Sequence, residues 1–517
     1  MKKNNSDRFY SLFKIILIVS AMFILLTWFV NVTSNSGEVV HSQLGVMEMA
    51  LGYLHTFLIF PMPILFILFT GGFYGVVSKT AFYEKLVSKT SELFKKRKNI
   101  FVILVAFILA LLASSVISIV YLIVFIPFIY SVLNRLKLNK YVAFSCTFGA
   151  IMLGMVGPMF TGYGFDDMFT ISEFDPANYL VYSGVILLLG FILLSAFMIM
   201  KGKNKKDEVE EIFEIEEVKE KVNIYPSVIF VGIVLSVLVS FIVSLFSNIN
   251  SFYILIVSFF LIIISSVLIT NKKKNALNFL VYVVLAIIIF MFTLGFINWS
   301  SIYNFSIVEK FYEFMTDNLY INTIYGSKPL IDSVLGASNI FGSWDLFDGA
   351  FLLLIASLVF GYSYKMKTKE LFKNFAYGMK VMLIPAILFA FCSVINIYSS
   401  WIPMINPFVD MIGGLNLGTD VINGVATGFV GAFFMNDPAF FAHSVSSLLV
   451  NNYGDNVTSV MFVVNTMFAF AQFLLPTSIL LFMGLYISDI KYKEWFKYIF
   501  KFLIGLFMVV CLMFFFV

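Results

Sequence analysis

The chain has 517 residues, of which 60% are apolar and only 12% charged. A soluble protein of this length needs far more polar surface, so the composition excludes the soluble globular classes and leaves a lipid bilayer as the solvent. The net charge of +4 comes from bases gathered in short clusters at the ends of apolar runs, which argues against a nucleic-acid-binding face. Cys146, Cys392 and Cys511 lie inside apolar runs, and His41, His55 and His443 are scattered. Neither a disulfide framework nor a metal cluster is written in that pattern.

In chain order, Ile15–Val30 follows Lys2, Lys3, Arg8 and Lys14. It reads as an uncleaved first span with a cytoplasmic N-terminus. Ala50–Val77 returns as a second span toward Lys79, and Ala81–Phe94 alternates apolar and charged residues at helical spacing, which predicts an interfacial helix. Ile100–Leu133 is a nearly unbroken apolar run between two basic clusters, "KKRK" and Arg135/Lys137/Lys140. Its roughly 34 residues fall short of two crossings at about 20 residues each, so a re-entrant helical hairpin turning at Ala113-Ser114-Ser115 is expected.

Tyr141–Val156 and Tyr179–Met200 form the next pair of spans, joined by an acidic loop without bases. The charged stretch "KKDEVEEIFEIEEVKEK" reads as a solvated or interfacial helix. Three linking spans follow at Tyr225–Phe246, Phe252–Thr270 and Ala276–Phe296, and then an external loop. Phe347–Tyr364 runs inward to Lys365–Lys380, and Val381–Tyr398 runs outward.

No lysine or arginine occurs between Lys380 and Lys491. A run inside that stretch, Val421–Val450, is broken at Asn436-Asp437-Pro438 and reads as a second hairpin that enters from the outer side. "SWIPMINPFVDMIGGLN" before it is expected along the outer surface. Val460–Ile487 and Phe502–Val517 complete the chain.

The predicted architecture is therefore an all-α polytopic membrane protein with about 11 spans and two re-entrant hairpins. Residues 1–200 form a first repeat (hairpin 100–133). Residues 201–346 hold a cytoplasmic loop, three linking spans and an external loop. Residues 347–517 form a second repeat of opposite orientation (hairpin 421–450). Inverted-topology repeats of this kind are the architecture of many secondary carriers, which bind cargo near the midplane where helices break.

The breaks name the candidate site. Ser114 and Ser115 lie at the first hairpin turn, and Asn436, Asp437 and Pro438 at the second. Gly157-Pro158 interrupts the span after the first hairpin, and Pro476-Thr477-Ser478 the span after the second. Half-helix N-termini at such breaks can hold a carboxylate, and freed carbonyls can hold Na⁺. Asp437 is the only acid between Asp420 and Asp455; an intramembrane carboxylate is costly, and so suggests a cation site or a proton carrier, the alternative being a hairpin tip that reaches water with Asp437 capping a helix. Gln472 and Asn465 approach the second break and read equally as lining or as helix packing. His55 reads as structural.

Two stretches carry a family resemblance. "ILFTGGFYGVVSKTAFYEKL", with Gly71, Gly72 and Gly75, and "LLPTSILLFMGLYISDIKYKEWFKY" resemble segments of the C4-dicarboxylate anaerobic carrier-like (YfcC-type) family of the ion transporter superfamily. The chain departs from that pattern in the first hairpin, where nothing between Glu92 and Asp166 is acidic. It also departs at the second tip, "FMNDPAFF", and at Gly157-Pro158-Met159-Phe160. The resemblance implies an elevator-like carrier, with a homodimer among its assemblies, for a small carboxylate or amino acid.

Sequence and resemblance together predict a secondary active transporter of the cytoplasmic membrane. Its partners would be a small organic anion or amino acid and the lipid bilayer, with no nucleic acid. It would have no cofactor beyond Na⁺ or H⁺ as coupling ion and no enzymatic activity. The alternatives are a membrane acyltransferase-like enzyme using His443, and a non-transporting family member acting as scaffold or sensor.

Overall fold

The computed structural model describes residues 3–33, 39–40, 43–114, 118–158, 176–201, 208–215, 320–323, 326–329, 344–414, 419–454 and 457–516, with isolated positions at 295, 310 and 313. The three linking spans (apart from position 295), most of the external loop and the acidic loop after Pro158 lie outside the described residues. The fold is mostly helical, with two short antiparallel strand pairs, Val32–Thr33 with Val39–Val40 and Tyr320–Thr323 with Gly326–Pro329. Among the described residues, four helices are long and apolar enough to cross a membrane: Asp7–Phe29, Val181–Lys201, Thr368–Trp401 and Tyr492–Phe514. With the shorter apolar helices, these make a mostly helical fold compatible with a membrane protein.

The chain forms two compact units. Met1–Ile67, Ser91–Ile212 and Leu383–Val517 build the first, and Leu68–Thr90 with Phe213–Met382 build the second.

In the first unit, helix α1 covers Lys3–Phe29. The expected single span Ala50–Val77 is instead two helices, α2 (Val46–Ile59) and α3 (Pro61–Val77), bent by 66° at Phe60. Pro61 and Pro63 explain the difference: proline starts a helix well, but it cannot supply the amide that the preceding helix needs to continue. Helix α4 (Ala81–Phe94) occupies the expected interfacial segment and buries Ala81, Tyr83 and Val87.

Helix α5 (Lys98–Ala113) ends at Ser114, where the first hairpin was expected to turn. The chain resumes at Ser118 with a 3-10 turn over Ile119–Phe125 that leads into α6 (Ile126–Arg135). At 1.5 Å per residue, the 16 residues of α5 span about 24 Å, less than a bilayer core of about 30 Å. Helices α7 (Lys140–Phe144) and α8 (Ala150–Val156) are joined by a π-turn, Ser145–Gly149, and α9 covers Pro176–Lys201.

The segment expected to be a charged helix is not helical over residues 208–215. Val209 instead docks along the α6–α7 loop. Its N–H donates to the Leu138 carbonyl at 3.0 Å, and its own carbonyl accepts from Asn134 Nδ2 at 2.5 Å. Only 3% of Val209 is exposed; an apolar β-branched residue with both backbone groups satisfied outside a helix has little reason to join one.

Helix α10 covers Leu346–Ser363, and Asp345 caps its first turn. Helix α11 runs for 34 residues, Thr368–Trp401, longer than the expected Val381–Tyr398 because it continues through the basic segment. Beyond it lie α12 (Ile405–Gly414), the two arms of the second hairpin α13 (Asp420–Phe434) and α14 (Pro438–Tyr453), then α15 (Val457–Ala471), α16 (Ile479–Ile487) and α17 (Tyr492–Phe514).

The core of the first unit is a row of helices in the order α5, α8, α15, α13. Glycine sets the spacing in both outer contacts. A Cβ on Gly154 of α8 would sit 2.4 Å from the Ala110 carbonyl oxygen of α5, and one on Gly428 of α13 would sit 2.2 Å from that of Val464 of α15. Small residues allow such backbone approach where lipid supplies no hydrophobic drive. Phe441 of α14 stacks on Phe468 of α15 with centroids 4.2 Å apart.

At one end of this unit, Asp489 joins three elements. Its carboxylate pairs with Arg8 Nε at 2.5 Å, its carbonyl accepts from Lys140 Nζ at 2.7 Å, and Tyr141 OH donates to nearby Glu494 at 3.1 Å.

In the second unit, the glycines of the resemblance motif have a packing role. Gly71, Gly72 and Gly75 of α3 lie directly against Phe375 and Gly378 of α11. Val76, Leu371 and Phe375 form a buried cluster with Phe69, Leu354, Leu358, Met366 and Met379 around it. Tyr74 also stacks on Phe213, with centroids 5.7 Å apart.

Candidate functional site

The second hairpin tip is built by three residues. Helix α13 stops at Phe434, Met435 is extended, and Asp437 starts α14 as its N-cap, accepting a hydrogen bond from the Phe440 N–H at 2.9 Å. Pro438 follows at the first helical position, where its missing amide costs nothing.

Between them, Asn436 ties three elements together. Its Oδ1 accepts from Asn396 Nδ2 at 2.8 Å, and its backbone N–H donates to Asn396 Oδ1 at 2.9 Å. Its Nδ2 donates to the Cys392 carbonyl at 2.7 Å and to the Thr477 carbonyl at 2.8 Å. Ser399 Oγ donates to the Phe434 carbonyl at 2.5 Å, and Thr477 Oγ1 to that of Ala432 at 2.7 Å. The hairpin tip is thus bonded on one side to α11 and on the other to the break between α15 and α16.

A cavity of about 90 Å³ opens beside this tip. Asn436, Asp437, Pro438 and Ala439 line it from the second hairpin, Ser118, Ile119 and Val120 from the first, and Ile479, Leu480 and Met483 from α16. Phe389, Ser393 and Asn396 of α11 and Phe60 and Pro63 at the α2–α3 bend complete it. The start of the resumed first hairpin, the second hairpin tip and the start of α16 therefore meet at one place, all within the first unit. Asp437 is the one acid of this lining, which includes no lysine, arginine or histidine.

The remaining candidate residues lie elsewhere. Ser114 is fully buried; its hydroxyl donates to the Leu111 carbonyl at 2.7 Å, away from the cavity lining. Ser115 is outside the described residues. Gly157 ends α8, where a Cβ would be 2.8 Å from the Ser183 carbonyl oxygen of α9, and Pro158 is the last residue described before the acidic loop. Ser478 caps α16 through the Leu481 N–H, Pro476 lies in the turn before it, and Thr477 holds α13. Gln472 is buried and its Nε2 has no partner among the described residues, but it does not line the cavity. Asn465 is buried on α15 and His443 is exposed on α14, both outside the lining. His55 Nδ1–H donates to the Leu51 carbonyl at 2.9 Å, and the ring faces Trp401 edge-on.

Three carbonyls around the second break are already engaged. The Phe473 carbonyl accepts from Trp495 Nε1 at 3.1 Å, that of Leu474 from the Tyr492 hydroxyl, and that of Thr477 from Asn436. They hold the helices around the break together, and a Na⁺ ion at these oxygens would compete with side-chain donors. Tyr492→Phe removes only the hydroxyl and strands a carbonyl, so it is expected to destabilise the protein by about 1 kcal/mol, read as a lower melting temperature in detergent.

No protein-family model matches the chain, and no curated protein sequence matches it.

Sequence reasoning missed Ser118, Ser393 and Asn396. Ser118 had a readable signal, a serine directly before an apolar helical run, which is an N-cap pattern. Ser393 and Asn396 stand in an apolar helix one turn apart, and that spacing marks a polar patch on a single helix face.

Proposed function

We propose that the protein is a secondary active transporter that moves a small carboxylate or amino acid across the cytoplasmic membrane. The observation that carries this reading is the cavity at which two interrupted helical segments and the start of a half-length helix converge around a single carboxylate. Broken helices at a polar cavity are the usual form of a carrier site, because irregular backbone at membrane depth is tolerated only where protein or a water-filled space surrounds it.

The packing row supports the inverted-repeat reading. In each half, the first arm of a broken segment packs through glycine on the first part of the helix that follows it: α5 with α8, and α13 with α15. On this reading the chain has about 11 spans and two re-entrant hairpins, an N-terminus in the cytoplasm and elevator-like alternating access. It would be a relative of the C4-dicarboxylate anaerobic carrier-like family, forming a homodimer, with Na⁺ or H⁺ as coupling ion and no chemical step of its own. The first-turn amides of α16 at Ile479 and Leu480 lack intrahelical partners and suit a cargo carboxylate.

Uptake into proteoliposomes tests the assignment. Asp437→Asn and Pro476→Ala proteins are expected to reach the membrane in normal amount yet lose uptake, and Asp437→Asn to take up less than about a tenth of the wild-type cargo, the loss that follows from removing a hydrogen bond to a charged group. Wild-type uptake by both variants would remove the site from consideration.

A further inference from the structure

The hydrogen-bond commitments around the cavity restrict what kind of group can sit beside Asp437. Asn436 has both N–H bonds of its amide engaged, on the Cys392 and Thr477 carbonyls, and its Oδ1 engaged by Asn396. Ser393 gives its one proton to the Phe389 carbonyl at 2.9 Å, so that it can only accept from a ligand. Ser118 Oγ accepts from the Val120 N–H and keeps its own proton. Asp437, when ionised, is acceptor-only, and one of its oxygens caps α14. Asp437 and Ser393 thus offer acceptors to a ligand, and the side-chain protons left over are those of Ser118 and of one Nδ2 hydrogen of Asn396.

Charge points the same way. No ion pair is formed by Asp437 among the described residues, and none of the lining residues is basic. A carboxylate held among Phe60, Phe389, Ile479 and Met483 without a counter-charge is costly to ionise, and a cationic ligand removes that cost. A ligand carboxylate at the same place would set acceptor against acceptor and negative against negative.

We infer that the cavity receives the ammonium group of a small amine-bearing solute at Asp437, which within the carrier reading above selects an amino acid over a simple carboxylate. An ammonium has three donors and no acceptor, which matches the acceptors of Asp437 and Ser393, and the two phenylalanines can face its charge or its apolar stem. The carboxylate of the same solute is left to the α16 amides. The volume of about 90 Å³ favours a compact solute.

Thermal unfolding of the detergent-purified full chain tests this. The probes are the common L-amino acids, each beside its matched primary amine without the carboxylate and its matched carboxylate without the amine, in choline chloride and again in NaCl. At least one amino acid and its amine should raise the melting temperature saturably in choline chloride, while the matched carboxylate does not. Asp437→Asn should weaken that response by about tenfold or more, as loss of a charged hydrogen bond implies. Asparagine and serine both cap helices well, so Asp437→Asn and Asp437→Ser keep α14 in place and should behave alike.

The inference is overturned if a matched carboxylate binds as tightly as its amino acid, or if amino-acid binding survives both substitutions. A response to Na⁺ alone, or to no probe, overturns it as well. The carrier reading fails separately. Uptake of an amine-free carboxylate into proteoliposomes keeps that reading and sinks the ammonium assignment. Asp437-dependent binding with no flux of any bound compound does the reverse.

Discussion

Asn436→Ala is expected to destabilise the protein by about 3 kcal/mol or more, the largest effect of any side-chain truncation at the cavity. Asparagine here is not a surface residue of a loop: it is 4% exposed and completes three side-chain hydrogen bonds to α11 and to the break before α16. Truncation leaves the Cys392 and Thr477 carbonyls and the Asn396 amide buried and without those partners, at about 1–3 kcal/mol for each unsatisfied group.

Asn436→Asp should be at least as damaging despite its similar shape. A carboxylate cannot donate to the two carbonyls, and it places negative charge directly against them. Denaturation followed in detergent, with the amount of folded protein recovered from membranes, checks both. A wild-type melting temperature for Asn436→Ala would mean that the hairpin tip is held by something other than this residue.

Gly378→Ala is the second large effect, expected in the other compact unit. A Cβ at Gly378 would lie 2.0 Å from the Gly71 carbonyl oxygen and 2.8 Å from both Gly71 C and Gly75 Cα. These are main-chain atoms in a helix, so no side chain can rotate out of the way, and α3 and α11 must separate. Overpacking of this kind costs about 3 kcal/mol, at the upper end of its usual range.

Gly413→Ala supplies the contrast, since nothing lies within 4 Å of a Cβ there. Alanine favours a helix over glycine by about 1 kcal/mol, so that variant should melt at the wild-type temperature or slightly above it. Equal melting temperatures for the two variants would dismiss the close contact.

Much of the helical layout was legible because apolar runs and their breakers are local signals. Ser114 does end α5, and Asn436-Asp437-Pro438 does interrupt the second run, since proline and capping side chains act on their own neighbours in sequence. Local signals also erred by understatement. The bend of 66° at Phe60 is invisible to hydropathy, which is continuous across Pro61 and Pro63, so the run reads as one span. The site residues show the limit more clearly. Asn396 and Asn436 are 40 positions apart, and Ser118 is farther still in sequence; only packing brings them to one cavity. Val209 was read from its charged neighbours, whereas its structure follows from backbone partners on a distant loop.

The occupied carbonyls of the α15–α16 break bear on how this sequence can vary. Pro476 stands where an unbroken helix would need an amide, and Trp495, Tyr492 and Asn436 each supply a proton to an oxygen that the break leaves open. The four residues therefore form one unit of substitution. Replacing a donor alone strands a carbonyl, and restoring the helix alone leaves donors without their acceptors, so paired changes should cost less than the sum of the single ones. In any lineage descending from this protein, loss of the proline and loss of the tryptophan should tend to appear together.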